Sequence, residues 1–178
     1  VVNRKAQDGF ALIDMIFVCG LIGILSGIAL PKLLLAKQAA GSASAIGSMR
    51  VISSAQLTFA LTCGSGFYAP KLTTLGVAPA GTTEPFLSPD LTSADLVQKS
   101  SYNIQMAANP YAGAPGSCNG LAPNEAGQGF RAGADPADST NMRFFGINSY
   151  GQIYEDVTSL FAVMPEVGES PAGHPLTH

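Results

Sequence analysis

Histidine is nearly missing: His174 and His178 are the only two in 178 residues, and both lie in a Pro/Gly-containing tail. The body of the chain therefore offers no imidazole for a Ser-His-Asp or Cys-His nucleophile or for a His-rich metal site. Those chemistries lean on a group that titrates near neutrality. No carboxylate or lysine cluster replaces it, so the chain reads as a non-enzyme that needs no cofactor. Charge is sparse as well. Asp, Glu, Lys and Arg make up 12% of the residues and apolar types 47%, which argues against disorder throughout. The net charge of −3, with Lys and Arg scattered, argues against a nucleic-acid binder. Cysteine occurs three times, at 19, 63 and 118, without CxxC or metal-ligand spacing.

Long apolar sequence, by contrast, is present. Residues 10–35 are interrupted only by Asp14 and Lys32. As a helix, Phe10 to Pro31 spans about 31 Å, the thickness of a bilayer core. Arg4 and Lys5 precede the run, and positive residues on that flank hold the N-terminal end in the cytoplasm. An ordinary secretory signal has a shorter core, and the one stretch here resembling a cleavage site, AKQAAGSA, lies beyond Pro31 and Lys32. A plain single-span anchor explains the length but leaves Asp14 unexplained. A carboxylate at mid-membrane costs about 2.5–3.5 kcal/mol on insertion scales and by default marks a functional position with a partner. Cys19 lies in this run, which leaves Cys63 and Cys118 either as a disulfide, in a body outside the cytoplasm, or as two free thiols.

Residues 31–62 continue as helix, with Gly41 and Gly47 as weak points. Leu35, Ala39, Ser42, Ile46, Met49, Ser53, Leu57 and Ala60 share one face. Ala45, Ser48, Ile52, Ala55, Phe59 and Thr62 share roughly the opposite one. Arg50 is the only charge between Gln38 and Thr62, whereas a helix lying on a soluble domain shows a charged outer face. The pattern predicts burial on both sides, one by the chain's own domain and the other by something external. Residues 10–62 together would form a rod of about 80 Å.

After Thr62 the chain becomes rich in Gly, Pro, Ser and Thr, and residues 63–91 read as a long surface connection. SADLVQKS (93–100) reads as a helical turn. Strand-like runs follow at 102–107, 129–132, 142–148 and 152–155, with a hairpin turn at NSYG (148–151). Strands without intervening helices predict an antiparallel sheet over about 102–155, covered by the long helix, in an α+β layout. Residues 164–178 read as a tail of low order.

The run GFALID, an apolar helix and then Pro31 resemble the N-terminus of type IV pilins and of the pseudopilins of type II secretion. The resemblance covers residues 4 to about 60, including AGSASAIGSMRVISSAQLTFA; beyond Thr62 only the general plan corresponds. It implies that residues 1–9 are a leader removed by a prepilin peptidase between Gly9 and Phe10, with methylation of Phe10. It also implies a lollipop fold, in which residues 10–62 form a long helix, membrane-spanning at about 10–35, and residues 63–178 form a globular head. The family usually has Glu where Asp14 stands and Thr where Ala11 stands.

On that resemblance the chain would be a structural subunit of a type IV pilus filament serving adhesion, motility or DNA uptake. The alternative is a pseudopilin of a secretion system or a minor pilin. Its partners would be identical or related subunits, the inner membrane before assembly, the peptidase and pilus assembly proteins. The implied location is the inner membrane, then an extracellular filament or periplasm-spanning pseudopilus. Asp14 would meet the free α-amine of Phe10 on a neighbouring subunit; capping of its own helix start is the plainer reading. Gly23 and Gly27 form a small-xxx-small pair for close helix approach, and with Pro31 they mark the weakest part of the helix. Major pseudopilins carry a calcium site in a loop near the last strands. Here DPADSTN supplies Asp135, Asp138, Ser139 and Asn141 without a regular ligand spacing and reads as a solvated turn.

Overall fold

The computed structural model describes residues 5–139 and 141–176, with side chains from Leu12 onward. Three helices come first: α1 (Lys5–Thr62), α2 (Leu72–Leu75) and α3 (Pro89–Thr92). Six strands follow: β1 (Leu96–Lys99), β2 (Tyr102–Ala107), β3 (Arg131–Pro136), β4 (Phe144–Asn148), β5 (Ile153–Asp156) and β6 (His174–Pro175). The chain divides into two compact units, Val1–Ala39 and Ala40–His178. The first is helical throughout its described length, because Leu, Ile and Ala dominate and Pro31 is the one proline inside α1.

In the second unit the strands form one antiparallel sheet in the order β1-β2-β3-β4-β5-β6, each strand hydrogen-bonded to its neighbours in sequence. Alternation decides which face each residue takes. Tyr102, Ile104 and Met106 of β2 point to one side, with Ala132 and Ala134 of β3 and Phe145 and Ile147 of β4. The C-terminal part of α1 lies on that face through Ala45, Met49, Ile52, Ala55 and Phe59, all buried. The predicted α+β layout, a long helix covering an antiparallel sheet, is the observed one. Full burial of each large apolar side chain contributes about 1.5–3 kcal/mol, so this stripe is a principal source of the unit's stability.

The buried stripe differs from either predicted helix face. It joins Ala45, Ser48, Ile52, Ala55 and Phe59 to Ser42, Met49 and Ala60, while Leu57 and Thr62 point outward. Two polar side chains fix the helix. Gln56, fully buried, donates from Nε2 to the Ala69 carbonyl at 2.8 Å and accepts the Ala69 N–H on Oε1 at 2.9 Å. It thus pairs with backbone as a strand residue would, and leaves no buried amide unsatisfied. The hydroxyls of Ser42 and Tyr102 lie 3.0 Å apart, and Tyr102 also donates to the Arg143 carbonyl. Beside them Gly41 is required: an added Cβ would stand 2.9 Å from the Ser100 carbonyl oxygen.

Three local readings are corrected. Residues 63–91 are not a surface connection only, since Ala69, Leu72, Leu75, Leu87 and Leu91 are buried. SADLVQKS is not a helical turn: Leu96–Lys99 is the edge strand β1, in register with β2 from Leu96↔Gln105 to Lys99↔Tyr102. Long-range pairing and burial of Val97 outweigh a local helix signal only a few residues long. The helical turn stands just upstream as α3, with Pro89 in its first turn.

The third correction concerns the tail. Residues 157–176 form a strap across the second face of the sheet. Leu160 and Met164 are buried, Asn148 Nδ2 donates to the Pro165 and Gly168 carbonyls at 3.0 and 2.7 Å, and β6 pairs with β5. Its seat is a furrow made by Gly133 and Gly146, which lie opposite each other in the β3–β4 register. A Cβ on Gly133 would meet the Phe161 Cβ at 2.8 Å, and one on Gly146 would meet the Leu160 Cβ at 3.0 Å. Gly133→Val should therefore destabilise the unit by about 1–3 kcal/mol through overpacking. The expected readouts are a lower melting temperature and faster amide exchange in 157–176. A variant with unchanged exchange there would show that the strap does not depend on the furrow.

Candidate functional site

Asp14 lies on α1 within the first unit and is exposed, without an ion pair among the described residues. Its surroundings are hydrocarbon: Leu12, Ile13, Met15, Ile16, Phe17 and Val18 are exposed, as are the large apolar residues onward to Leu35. Among the described residues, α1 is the one helix long and apolar enough to cross a membrane, and its most apolar window has no buried residue. The backbone of Gly9 and Phe10 is helical, continuous with the run; the Phe10 side chain and residues 1–4 of the expected leader lie outside the described residues.

Gly23 and Gly27 leave open space, with nothing within 4 Å of an added Cβ, and the same holds for Gly20. Pro31 has no N–H to donate, so the carbonyl four residues back, on Gly27, loses its intrahelical partner. A glycine and an orphaned carbonyl thus coincide at this turn, although the helix continues through it. Asp14, Gly23, Gly27 and Pro31 extend over about 25 Å of helix and are not gathered into one constellation within a single chain. What they share is an unpartnered apolar surface.

That surface has a counterpart in the second unit. Val51, Leu57 and Leu61 are 49%, 53% and 76% exposed, whereas Met49, Ile52 and Phe59 on the same helix are fully buried. Sequence periodicity predicted burial on both helix faces, one of them by something external; within this chain Leu57 and Thr62 of those predicted faces are exposed.

Covalent and ionic fastenings close the second unit. Cys63 and Cys118 form a disulfide with Cα atoms 4.9 Å apart, tying the end of α1 to the loop before β3. Arg143 grips Glu155 through two parallel bonds of 2.5 and 2.8 Å, which holds the Glu155 carboxyl below its ordinary range. The Thr73 hydroxyl, then Lys71, lowers Asp95; Lys99, then Ser88, lowers Asp90. Arg131 stacks on the Phe161 ring at 5.6 Å. From Ala40 onward the chain has five basic residues against ten acidic ones, a net charge of −5. Four of the five bases are engaged in these contacts, so carboxylates dominate what remains.

DPADSTN is not a turn throughout: Asp135 and Pro136 end strand β3, paired with Asn103 and Tyr102. Asp135 Oδ2 accepts from the Ser159 hydroxyl at 2.7 Å, Asn141 Nδ2 donates to the Tyr102 hydroxyl at 2.9 Å, and Asn141 Oδ1 accepts the Arg143 N–H. Among the described residues no three His, Cys, Asp or Glu side chains gather. Burial raises the Asp135 pKa and its Oδ1 has no partner. A pKa raised by folding means that ionisation costs stability above the unfolded value, about 3.9, and costs nothing below it. Asp135→Asn should therefore raise the melting temperature at pH 7, and the gain should vanish as pH falls below about 4. An Asn variant no more stable than wild type at pH 7 would refute this account of Asp135.

Compared with known proteins, this chain matches no family model, no curated protein and no solved structure.

Proposed function

We propose that the chain is a structural subunit of a type IV pilus-like filament, held in the inner membrane by α1 until it is assembled. The observation that carries this reading is the apolar helical run with one carboxylate, wholly uncovered from Leu12 to Leu35, attached to a separately packed, disulfide-closed unit. The resemblance at residues 9–31 supports it. A monomer leaves that much hydrocarbon exposed only if lipid or other copies cover it. In the assembled polymer, rods cover one another and the heads form the outer surface, in the pilin manner. The disulfide accords with a head outside the cytoplasm.

Asp14 governs addition in this mechanism. After cleavage behind Gly9, Phe10 carries a protonated α-amine at the start of the helix. Each of the two charges is costly alone in hydrocarbon, and they become tolerable when paired across copies, so a misplaced subunit is rejected. The test is electron microscopy of sheared surface material with and without the gene, together with N-terminal mass measurement. Filaments whose subunits begin at methylated Phe10 are expected. A subunit retaining residues 1–9, or no gene-dependent polymer at the surface or in the periplasm, would refute the reading. Polymer confined to the periplasm would transfer the same mechanism to a secretion pseudopilus.

A further inference from the structure

Asp14 is the only acidic residue between positions 12 and 49, and Lys32 and Lys37 are the only basic ones. All three are exposed. Asp14 and Lys32 are 18 residues apart, about five full helical turns, so they stand on the same face at a separation of about 27 Å. Lys37 stands about 140° further round the helix. Residues 15–31 carry no charge at all. In a chain cleaved behind Gly9, a copy sliding along another by well under five turns therefore brings Asp14 no side-chain cation of its neighbour.

We propose that Lys32 of a second copy, displaced by about five turns along the helix, gives Asp14 a further cation. Asp14 and Lys32 would then fix the long-range stagger of the polymer. The inference rests on the filament reading above and adds Lys32 to it as a positioning residue. A carboxylate has two oxygens and about four acceptor sites, so it can take an α-amine from one neighbour and an ammonium from another. In parallel rods packed about a common centre, the same face of every copy points inward. Charges on that face meet across copies when the displacement equals their spacing. Lys32 suits the task because its ammonium has three donors on a long flexible stem. It also gains from the pairing, since leaving the membrane boundary for the polymer interior deprives it of water.

The test uses intact wild-type filaments treated with a membrane-permeant carbodiimide, which condenses a carboxylate and an amine in contact into an amide. Peptide mass mapping should find Asp14 joined to Lys32. Within one helix the two are about 27 Å apart, so that product can arise only between copies. Lys32→Gln should reduce filament yield at least tenfold, with membrane insertion and head melting unchanged. Lys32→Arg should retain most of the yield, whereas Lys32→Asp, which sets two carboxylates together, should abolish filaments. Amides from Asp14 to Phe10 or Lys37 alone, or wild-type yield from Lys32→Gln, would overturn the proposal and leave the filament reading standing. Absence of filaments from the wild type would instead sink that reading, and this inference with it.

Discussion

Asp14→Ala should insert into the membrane at least as well as wild type and assemble at least a hundredfold fewer filaments. The two effects separate because they depend on different terms. Insertion becomes easier when a carboxylate leaves the apolar run, by less than the roughly 2.5–3.5 kcal/mol that insertion scales give for an aspartate at the helix centre, because Asp14 lies near one end. Assembly becomes harder because the apolar rod keeps its cations and loses its one anion, so every incoming copy brings unpaired positive charge. The head contributes nothing to this difference: its melting temperature should stay unchanged, since residue 14 belongs to the other compact unit. Asp14→Glu keeps the charge and lengthens the reach by one methylene, and it should restore assembly. Filament counts, membrane fractionation and thermal melting distinguish these outcomes. Normal filaments from the Ala variant would remove Asp14 from the mechanism.

Cys118→Ser should lower the melting temperature of the head by roughly 10 °C. The Cys63–Cys118 bond spans a sequence separation of 55. Closing a loop of that size stabilises by about 4 kcal/mol in the chain-entropy model, an upper figure for most disulfides. Each kcal/mol shifts the midpoint by about 2–4 °C in a domain of 150–250 residues. The bond also acts locally. The Cys118 N–H donates to the Cys63 carbonyl, and an added Cβ at neighbouring Gly64 would lie against the Phe67 carbonyl, so the chain has one way to turn off the helix. Reductant should lower the wild-type midpoint by the same amount and leave the variant untouched. Equal melting of wild type with and without reductant would contradict this estimate. Acid should weaken the head by a different route. Glu155, Asp90 and Asp95 have pKa values lowered by folding, so what they add is present above the ordinary carboxylate range and is lost as pH falls through their folded values.

Much of this was legible in the sequence, for physical reasons that differ by element. Helix α1 follows from composition alone, since 58 residues with one internal proline and few β-formers in succession leave little else to do. Strand β2 was placed at its observed limits because YNIQMA alternates strictly between buried and half-buried positions. The hairpin between β4 and β5 was readable from Asn148 and Gly151, and Gly151 does take a positive φ of 74°. Strand β1 was not readable, because four residues gain their conformation from β2 and not from themselves. The strap was missed because its hold on the sheet comes from two glycines distant in sequence and from the side chain of Asn148, neither of which leaves a periodic trace. At the candidate site, Asp14 stood out because charge in an apolar run is costly. The outward positions of Val51, Leu57 and Leu61 did not, because apolar residues surround that helix and only packing decides which of them face out.

In the proposed filaments, the pairing of Arg143, Lys71 and Lys99 with carboxylates of their own head would act at the scale of many polymers. Polymers sheathed in such heads would behave as a like-charged colloid, holding one another off at low salt. Their fields would fade within about 8 Å at physiological ionic strength. Bundling would then become a matter of counterions, promoted by multivalent cations and reversed by their removal, without any change in how the rods inside are joined.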